Sequence, residues 1–214
     1  MTIFTGAGLV CFRGERTVFQ GLGFSLDEGG ALTLRGANGS GKSSLLRLMA
    51  GLGRPLSGAV QWRDEKIADD PEAHNRRLHY VGHADPVKPV MTVAENLIFW
   101  ASLRTGGGVE AVRPAVETAL GRLGIGHLAS VPGRFLSAGQ KRRVNLARVL
   151  AAPAELWLLD EPATALDRAA AKNLDDAITE HRAGGGMVVL ASHAEAALEG
   201  ARELDLGDFQ EPAS

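Results

Sequence analysis

Eight consecutive residues, Gly36-Ala37-Asn38-Gly39-Ser40-Gly41-Lys42-Ser43, have the types and spacing to cradle a polyphosphate. Their glycines let the main chain wrap close to phosphate oxygens, so backbone N–H groups and the N-terminus of a following helix can point at the charge. A lysine in this place reaches the β and γ phosphates, and the Ser43 hydroxyl is a ligand for Mg²⁺. The plain structural alternative is a glycine-rich strand-to-helix turn. An apolar strand before the loop and an apolar-faced helix after it favour the phosphate reading.

A second group completes that chemistry. Leu156-Trp157-Leu158-Leu159-Asp160-Glu161-Pro162 reads as a buried strand that ends in two acids. Such an end lies at the C-terminal edge of the sheet, where nucleotides bind in open α/β folds. Asp160 can hold Mg²⁺ through water, and Glu161 can polarise the attacking water. Strands often end in charges, so the weight of this segment comes from its pairing with the glycine-rich loop. Ser137-Ala138-Gly139-Gln140 offers a hydroxyl, a flexible glycine and free N–H groups at a helix start, which suits either a phosphate contact or an ordinary N-cap.

The elements that must position these groups are legible in outline. Segments 9–13, 17–26 and 31–35 are β-rich and separated by turn-like clusters, which predicts a small antiparallel sheet. A helix is predicted over 42–51, with strands at 58–62 and 78–82. Between about 92 and 130 the pattern becomes helical: Thr92 with Glu95 forms a capping box, and three glycines at 106–108 separate that helix from another over 109–123. Helices over 138–150 and 167–182 then alternate with the apolar runs 156–160 and 187–192, which read as buried parallel strands. The expected class is α/β: a mostly parallel core sheet, an N-terminal antiparallel β subdomain and an inserted helical subdomain at 92–136, within a single domain spanning 1–214.

Bulk properties narrow the partners. The chain has 214 residues, 45% of them apolar, and a formal charge of −2, which argues against a nucleic acid held by bulk electrostatics. Cys11 is the only cysteine, so no internal disulfide and no cysteine-rich metal site can form, and a reducing compartment is expected. The first residues lack the basic region of a signal peptide, and the longest apolar runs are too short to span a bilayer. A role at a membrane therefore requires a partner to supply the membrane part.

Taken together, residues 36–43, 136–140 and 159–162, with Thr164-Ala165-Leu166-Asp167 and His193 further on, resemble the ABC ATPase family of P-loop NTPases over the whole chain. The resemblance implies ATP and Mg²⁺ as ligands and a dimer, with a second ATPase copy, that sandwiches two ATP molecules head to tail. Gly36, Ala37, Asn38, Gly39, Ser40, Gly41, Lys42, Ser43 and Ser44 would bind ATP in one subunit. Ser137 and Gly139, with Gln140, would meet the γ-phosphate of the partner's ATP. Asp167 would lie at the dimer interface and His193 would hold the γ-phosphate beside the catalytic Glu161, while Ser43 and Asp160 would take the metal.

A finer resemblance concerns one subfamily. Arg13-Gly14-Glu15-Arg16-Thr17, Gly51-Leu52-Gly53-Arg54-Pro55, Val81-Gly82-His83 and the run 136–148 are similar to the haem-exporter ATP-binding subunits of bacterial cytochrome c maturation. That implies an integral membrane subunit as partner, a peripheral place on the cytoplasmic face of the inner membrane, and an indirect periplasmic partner, the haem chaperone whose release ATP hydrolysis drives. Three departures stand out. The glutamine that the family uses near the metal falls at Ala84, so Asp85 or water substitutes, or coupling is altered. The residue that stacks on adenine is Arg13 or Phe12, the latter equally able to face the core. His83 invites a haem-ligand reading that one loop histidine supports poorly. Other classes fit less well: soluble translation-type members carry two cassettes and repair-type members a long coiled coil, whereas this chain has one phosphate loop and no heptad stretch. A kinase or a binding module without turnover is disfavoured by Glu161 beside Asp160.

Overall fold

The computed structural model describes residues 2–14, 16–164, 166–192 and 198–210 and divides into two compact units. The first comprises Met1–Gly82, Glu155–Glu161 and His181–Ser214, and the second His83–Ala154 and Pro162–Glu180.

Two sheets make up the first unit. Strands β1 (Thr2–Arg13), β2 (Arg16–Asp27), β4 (Ser57–Trp62) and β5 (Glu65–Lys66) form an antiparallel sheet in the order β2-β1-β4-β5. Strands β3 (Ala31–Arg35), β6 (Leu78–Val81), β7 (Leu156–Asp160), β8 (Met187–Ala191) and β9 (Arg202–Asp205) form the other, in the order β6-β7-β8-β3-β9, and each of its pairings is parallel. Both β7 and β8 are buried at every position, as a strand covered on both faces must be, and this is why they read as unbroken apolar runs. Helix α1 (Lys42–Met49) packs on β7 and β8 through Leu45, Leu46, Leu48 and Met49. Helix α2 (Pro71–Arg77) leads into β6. One core joins the inner faces, with Phe4, Leu9, Phe19, Leu22, Leu26, Leu34 and Leu45 fully buried.

The second unit is helical: α3 (Val93–Thr105), α4 (Val109–Arg122), α5 (Ala138–Leu150) and most of α6 (Arg168–Ala183). The Thr92–Glu95 capping box starts α3, with Thr92 Oγ1 accepting from the Glu95 N–H at 3.2 Å and Glu95 Oε2 accepting from the Thr92 N–H at 2.7 Å. Gly106, in the left-handed conformation at φ 70°, ends it. Val112, Val116, Ala119 and Leu120 form the buried stripe of α4, at the spacing of one helical face. The expected insertion at 92–136 falls inside this unit, which extends further to take in α5.

Three expectations need correction. Segment 31–35 does not join an N-terminal antiparallel sheet: it is β3, inside the parallel sheet between β8 and β9, and β4 takes its place beside β1. Ala31, Leu32, Thr33 and Leu34 are all buried, the signature of a two-sided strand rather than a half-exposed one. Next, β1 begins at Thr2 rather than at 9, because cross-strand pairing with both β2 and β4 holds a Gly- and Ala-containing stretch of weak intrinsic preference. Finally, the chain forms three elements beyond those expected, α2, β5 and β9.

Candidate functional site

The glycine-rich loop follows β3, and its geometry shows what each glycine does. Gly41 has φ 107°, and a Cβ added there would lie 2.5 Å from Val18 Cγ1 and 3.0 Å from Phe19 Cδ1, so the core itself excludes a side chain. Gly39 has φ 82°, yet a Cβ on it meets nothing within 4 Å. Its glycine is required by backbone conformation alone. Helix α1 then starts with no side-chain cap and no acid in its first turn. Its N-terminal N–H groups and positive dipole end are thus left for an anion.

Lys42, 6% exposed, folds back on the loop: its Nζ donates to the carbonyls of Gly36 at 2.6 Å and Ala37 at 3.0 Å. Burial lowers its pKa, and the carboxylates of Glu161, Asp160 and Asp205 oppose that shift. The cation is therefore held in the same electrostatic neighbourhood as the acids at the strand end. Ser40 Oγ is buried without a partner, and Ser43 is exposed at the head of α1. Ser44 bonds to the buried thiol of Cys11.

Sheet order brings the acids to this loop. Only β8 separates β3 from β7, so their C-terminal ends lie two strand spacings apart, about 10 Å. Asp160 closes β7 and is 5% exposed. Glu161 follows with φ 47°, a left-handed conformation costly for a residue with a side chain, and its N–H donates to Ala191 O at 2.9 Å. That bond ties Glu161 to the end of β8. The oxygens of Ser43 and Asp160 suit a hard cation. Among the described residues no group of three or more His, Cys, Asp or Glu could hold a metal alone, so a cation here would be shared with substrate phosphates, as Mg²⁺ commonly is.

At the far end of β1, Cys11 is buried while Phe12 and Arg13 are both exposed, Phe12 by 51%. Leu9 and Cys11 are the inward positions of this half of β1, so Phe12 falls on the outward side of the alternation, and with Arg13 exposed at the strand's end both adenine candidates face outward.

The remaining expected residues belong to the second unit. Ser137 caps α5 in a complete capping box: its Oγ accepts from the Gln140 N–H at 3.2 Å, and its own N–H donates to Gln140 Oε1 at 2.8 Å. The ordinary N-cap reading is thus satisfied. Ser137 is nonetheless exposed, two residues before Gly139. Asp167 Oδ1 accepts from the Ala170 N–H at 2.8 Å at the start of α6, and its Oδ2 accepts from Arg143 at 2.7 Å. These bonds, the first foremost, hold its pKa below the usual carboxylate value. Asp85, named as a possible metal ligand, instead accepts from Arg142 at 3.3 Å and Asn145 at 2.9 Å through one oxygen. His83 and Ala84 are exposed. His193 lies outside the described residues.

Sequence reasoning missed Asp205, whose carboxylate biases Lys42 from β9. Nothing in the polar run Arg202–Asp205 signals a strand beside β3.

Comparison with known proteins agrees with this geometry. Residues 19–164 match the family described as ABC transporter. The chain is 60% identical over 206 residues to the cytochrome c biogenesis ATP-binding export protein CcmA of Paramagnetospirillum magneticum, covering 96% of this chain and 94% of that protein. It is 56% identical over 207 residues to the protein of the same name from Rhodospirillum rubrum, covering 97% and 87%. Its fold is similar to that of a dimeric bacterial ABC transporter cassette, with a TM-score of 0.84 and 23% identity, covering 96% of this chain and 95% of that one.

Proposed function

The chain belongs to the ABC transporter family, and on that premise we propose that it is the ATP-hydrolysing subunit of the complex that serves cytochrome c biogenesis. One observation carries the enzymatic part: the loop after β3, with Lys42 and the uncapped start of α1, has only β8 between it and the strand that ends in Asp160 and Glu161. The loop N–H groups and Lys42 bind the phosphates of ATP. Ser43 and Asp160 hold Mg²⁺, which neutralises charge on those phosphates, and Glu161 orients the attacking water and draws a proton from it. Arg13 stacks on the adenine ring. His193 supports the γ-phosphate.

Hydrolysis is the work of two copies. Ser137 and Gly139 of one subunit reach the γ-phosphate bound in the other, Gln140 fixes that turn, and Asp167 lies near the subunit boundary. The whole chain, 1–214, acts as one ATP-binding domain with 92–136 inserted. Among the described residues no helix is long and apolar enough to cross a membrane, and an integral membrane subunit is the proposed partner. The chain then works peripherally, on the cytoplasmic face of the inner membrane. The cytochrome assignment rests on the likeness, across nearly the full chain, to proteins named for that process. On this reading hydrolysis releases a haem-loaded chaperone on the other side of the membrane.

Deleting the gene tests the biological half. Covalent c-type cytochromes should disappear while b-type haem proteins persist, and haem-loaded chaperone should accumulate. A deletion strain with normal c-type cytochromes would remove the cytochrome role and leave the ATPase.

A further inference from the structure

Segment 83–91 follows the first unit's strand β6 as a largely exposed stretch with little secondary structure of its own, and two side-chain clamps fix it. One clamp is local. Asn96, 1% exposed on α3, accepts from the Lys88 N–H at 2.7 Å and donates to the carbonyls of Lys88, Met91 and Thr92 at 3.2, 3.2 and 2.9 Å. The other spans a long stretch of chain. Asp85 Oδ1 accepts from Nη1 of Arg142 and Nδ2 of Asn145, residues 57 and 60 positions away and both buried on α5. Arg142 and Asn145 are three residues apart, so they share one helix face. The same helix begins at Ser137, and the neighbouring Arg143 bonds to Asp167 at the start of α6.

We infer that Asp85 is a positioning residue that joins segment 83–91 to α5, so that movement of the segment and movement of the Ser137–Gln140 turn are coupled through Arg142 and Asn145. The inference deepens the proposed function: it rests on the membrane subunit proposed there and takes the exposed segment 83–91 as the face that meets it. A helix transmits displacement along its axis with little internal give, whereas the exposed backbone of 86–90 does not. Arg142 and Asn145 are buried and the Asp85 side chain is only 19% exposed, so this polar connection is largely shielded from water and selective for the native geometry. An aspartate is short enough to hold the main chain of the segment close to α5, and its single shared oxygen makes the two donors act at one point. Loss of the carboxylate would leave α5 folded, because its own capping box is independent of Asp85.

The test uses the chain co-purified with its membrane subunit and compares the parent with Asp85→Ala and Asp85→Asn. The readout is the ratio of ATP turnover in the complex to that of the isolated chain, with KM for ATP measured alongside. The ratio should fall at least about fivefold towards one for Asp85→Ala, with KM changed less than about twofold. Asp85→Asn, which keeps an acceptor for Asn145 but loses the charge facing Arg142, should lie between, and it retains the shape if the alanine variant misfolds. An unchanged ratio in both variants overturns the inference, and so does loss of the membrane subunit from the preparation, which would make Asp85 a docking residue. If the parent itself shows no partner or no stimulation, the proposed function has failed. The inference is then decided in the isolated chain, in a Glu161→Gln background. ATP should slow amide exchange across 86–91 there, and should no longer do so when Asp85→Ala is added. Equal slowing with and without Asp85 overturns it.

Discussion

Substituting alanine at Gly41 or at Gly39 adds the same methyl group to the same loop, and the structure predicts opposite consequences. At Gly41 the new Cβ would stand 2.5 Å from Val18 Cγ1 and 3.0 and 3.3 Å from two Phe19 ring carbons, all of them core atoms. Relieving that overlap means displacing packed side chains, which costs about 1–3 kcal/mol, and the positive φ adds about 1–2 kcal/mol. A total of roughly 2–5 kcal/mol should lower the thermal midpoint by roughly 5–15 °C for a chain of this size. At Gly39 the Cβ meets nothing, so only the backbone term of about 1–2 kcal/mol applies. The loop can relieve that strain by turning its N–H groups away from the phosphate, so Gly39→Ala should keep most of its stability and lose at least about tenfold in ATP affinity. The assay pairs thermal denaturation without nucleotide with a fluorescent ATP titration of each variant. Full stability of Gly41→Ala would refute the packing argument. Unimpaired ATP binding by Gly39→Ala would refute the loop as phosphate cradle.

Lys42→Ala removes the cation of the loop and should weaken ATP binding by about 2–4 kcal/mol, on the order of 30- to 1000-fold, without unfolding the protein; equilibrium binding within threefold of the parent would dismiss the role. Cysteines placed at 87–91 should crosslink to the membrane subunit, since Val90 is 77% exposed and Lys88 lies 4.7 Å above the half-exposed ring of Phe99, and failure at every position would count against that face.

Local chemistry wrote much of this structure plainly into the sequence. The capping boxes at Thr92 and Ser137 mark the starts of α3 and α5 because a side chain and a main-chain group three residues away satisfy each other without outside help. The runs forming β7 and β8 announce themselves because both faces are covered. What depends on distant partners was hidden. The first half of β1 is held by pairing with β2 and β4, and β9 is a polar edge strand whose only qualification is its place beside β3. For α2 a signal did exist: Asp70 accepts from the Ala73 N–H at 2.9 Å, and Pro71 occupies the first helical position. The assignment of residues 31–35 to the wrong sheet has the same root, since a strand's sequence states that it is buried and not which neighbours bury it. At the site, residue types were legible and relations were not. The loop and the acids could be named, while the strain at Glu161, the outward turn of Phe12 and the hold of Arg142 and Asn145 on Asp85 arise only once the chain is folded.

The central claim is that Glu161 acts on water while the rest of the site holds ATP between two copies of the chain, and Glu161→Gln tests it most directly. The amide keeps the side chain's shape and the strained backbone common to both residues, and the main-chain bond to Ala191 is untouched. Only the basic carboxylate is lost, so hydrolysis should fall by roughly 10²–10⁴-fold while ATP binding survives. Unhydrolysed ATP should then hold two chains together, giving a nucleotide-dependent dimer on gel filtration at concentrations where the parent runs as monomer. Turnover close to that of the parent, or loss of ATP binding by the variant, would contradict the account.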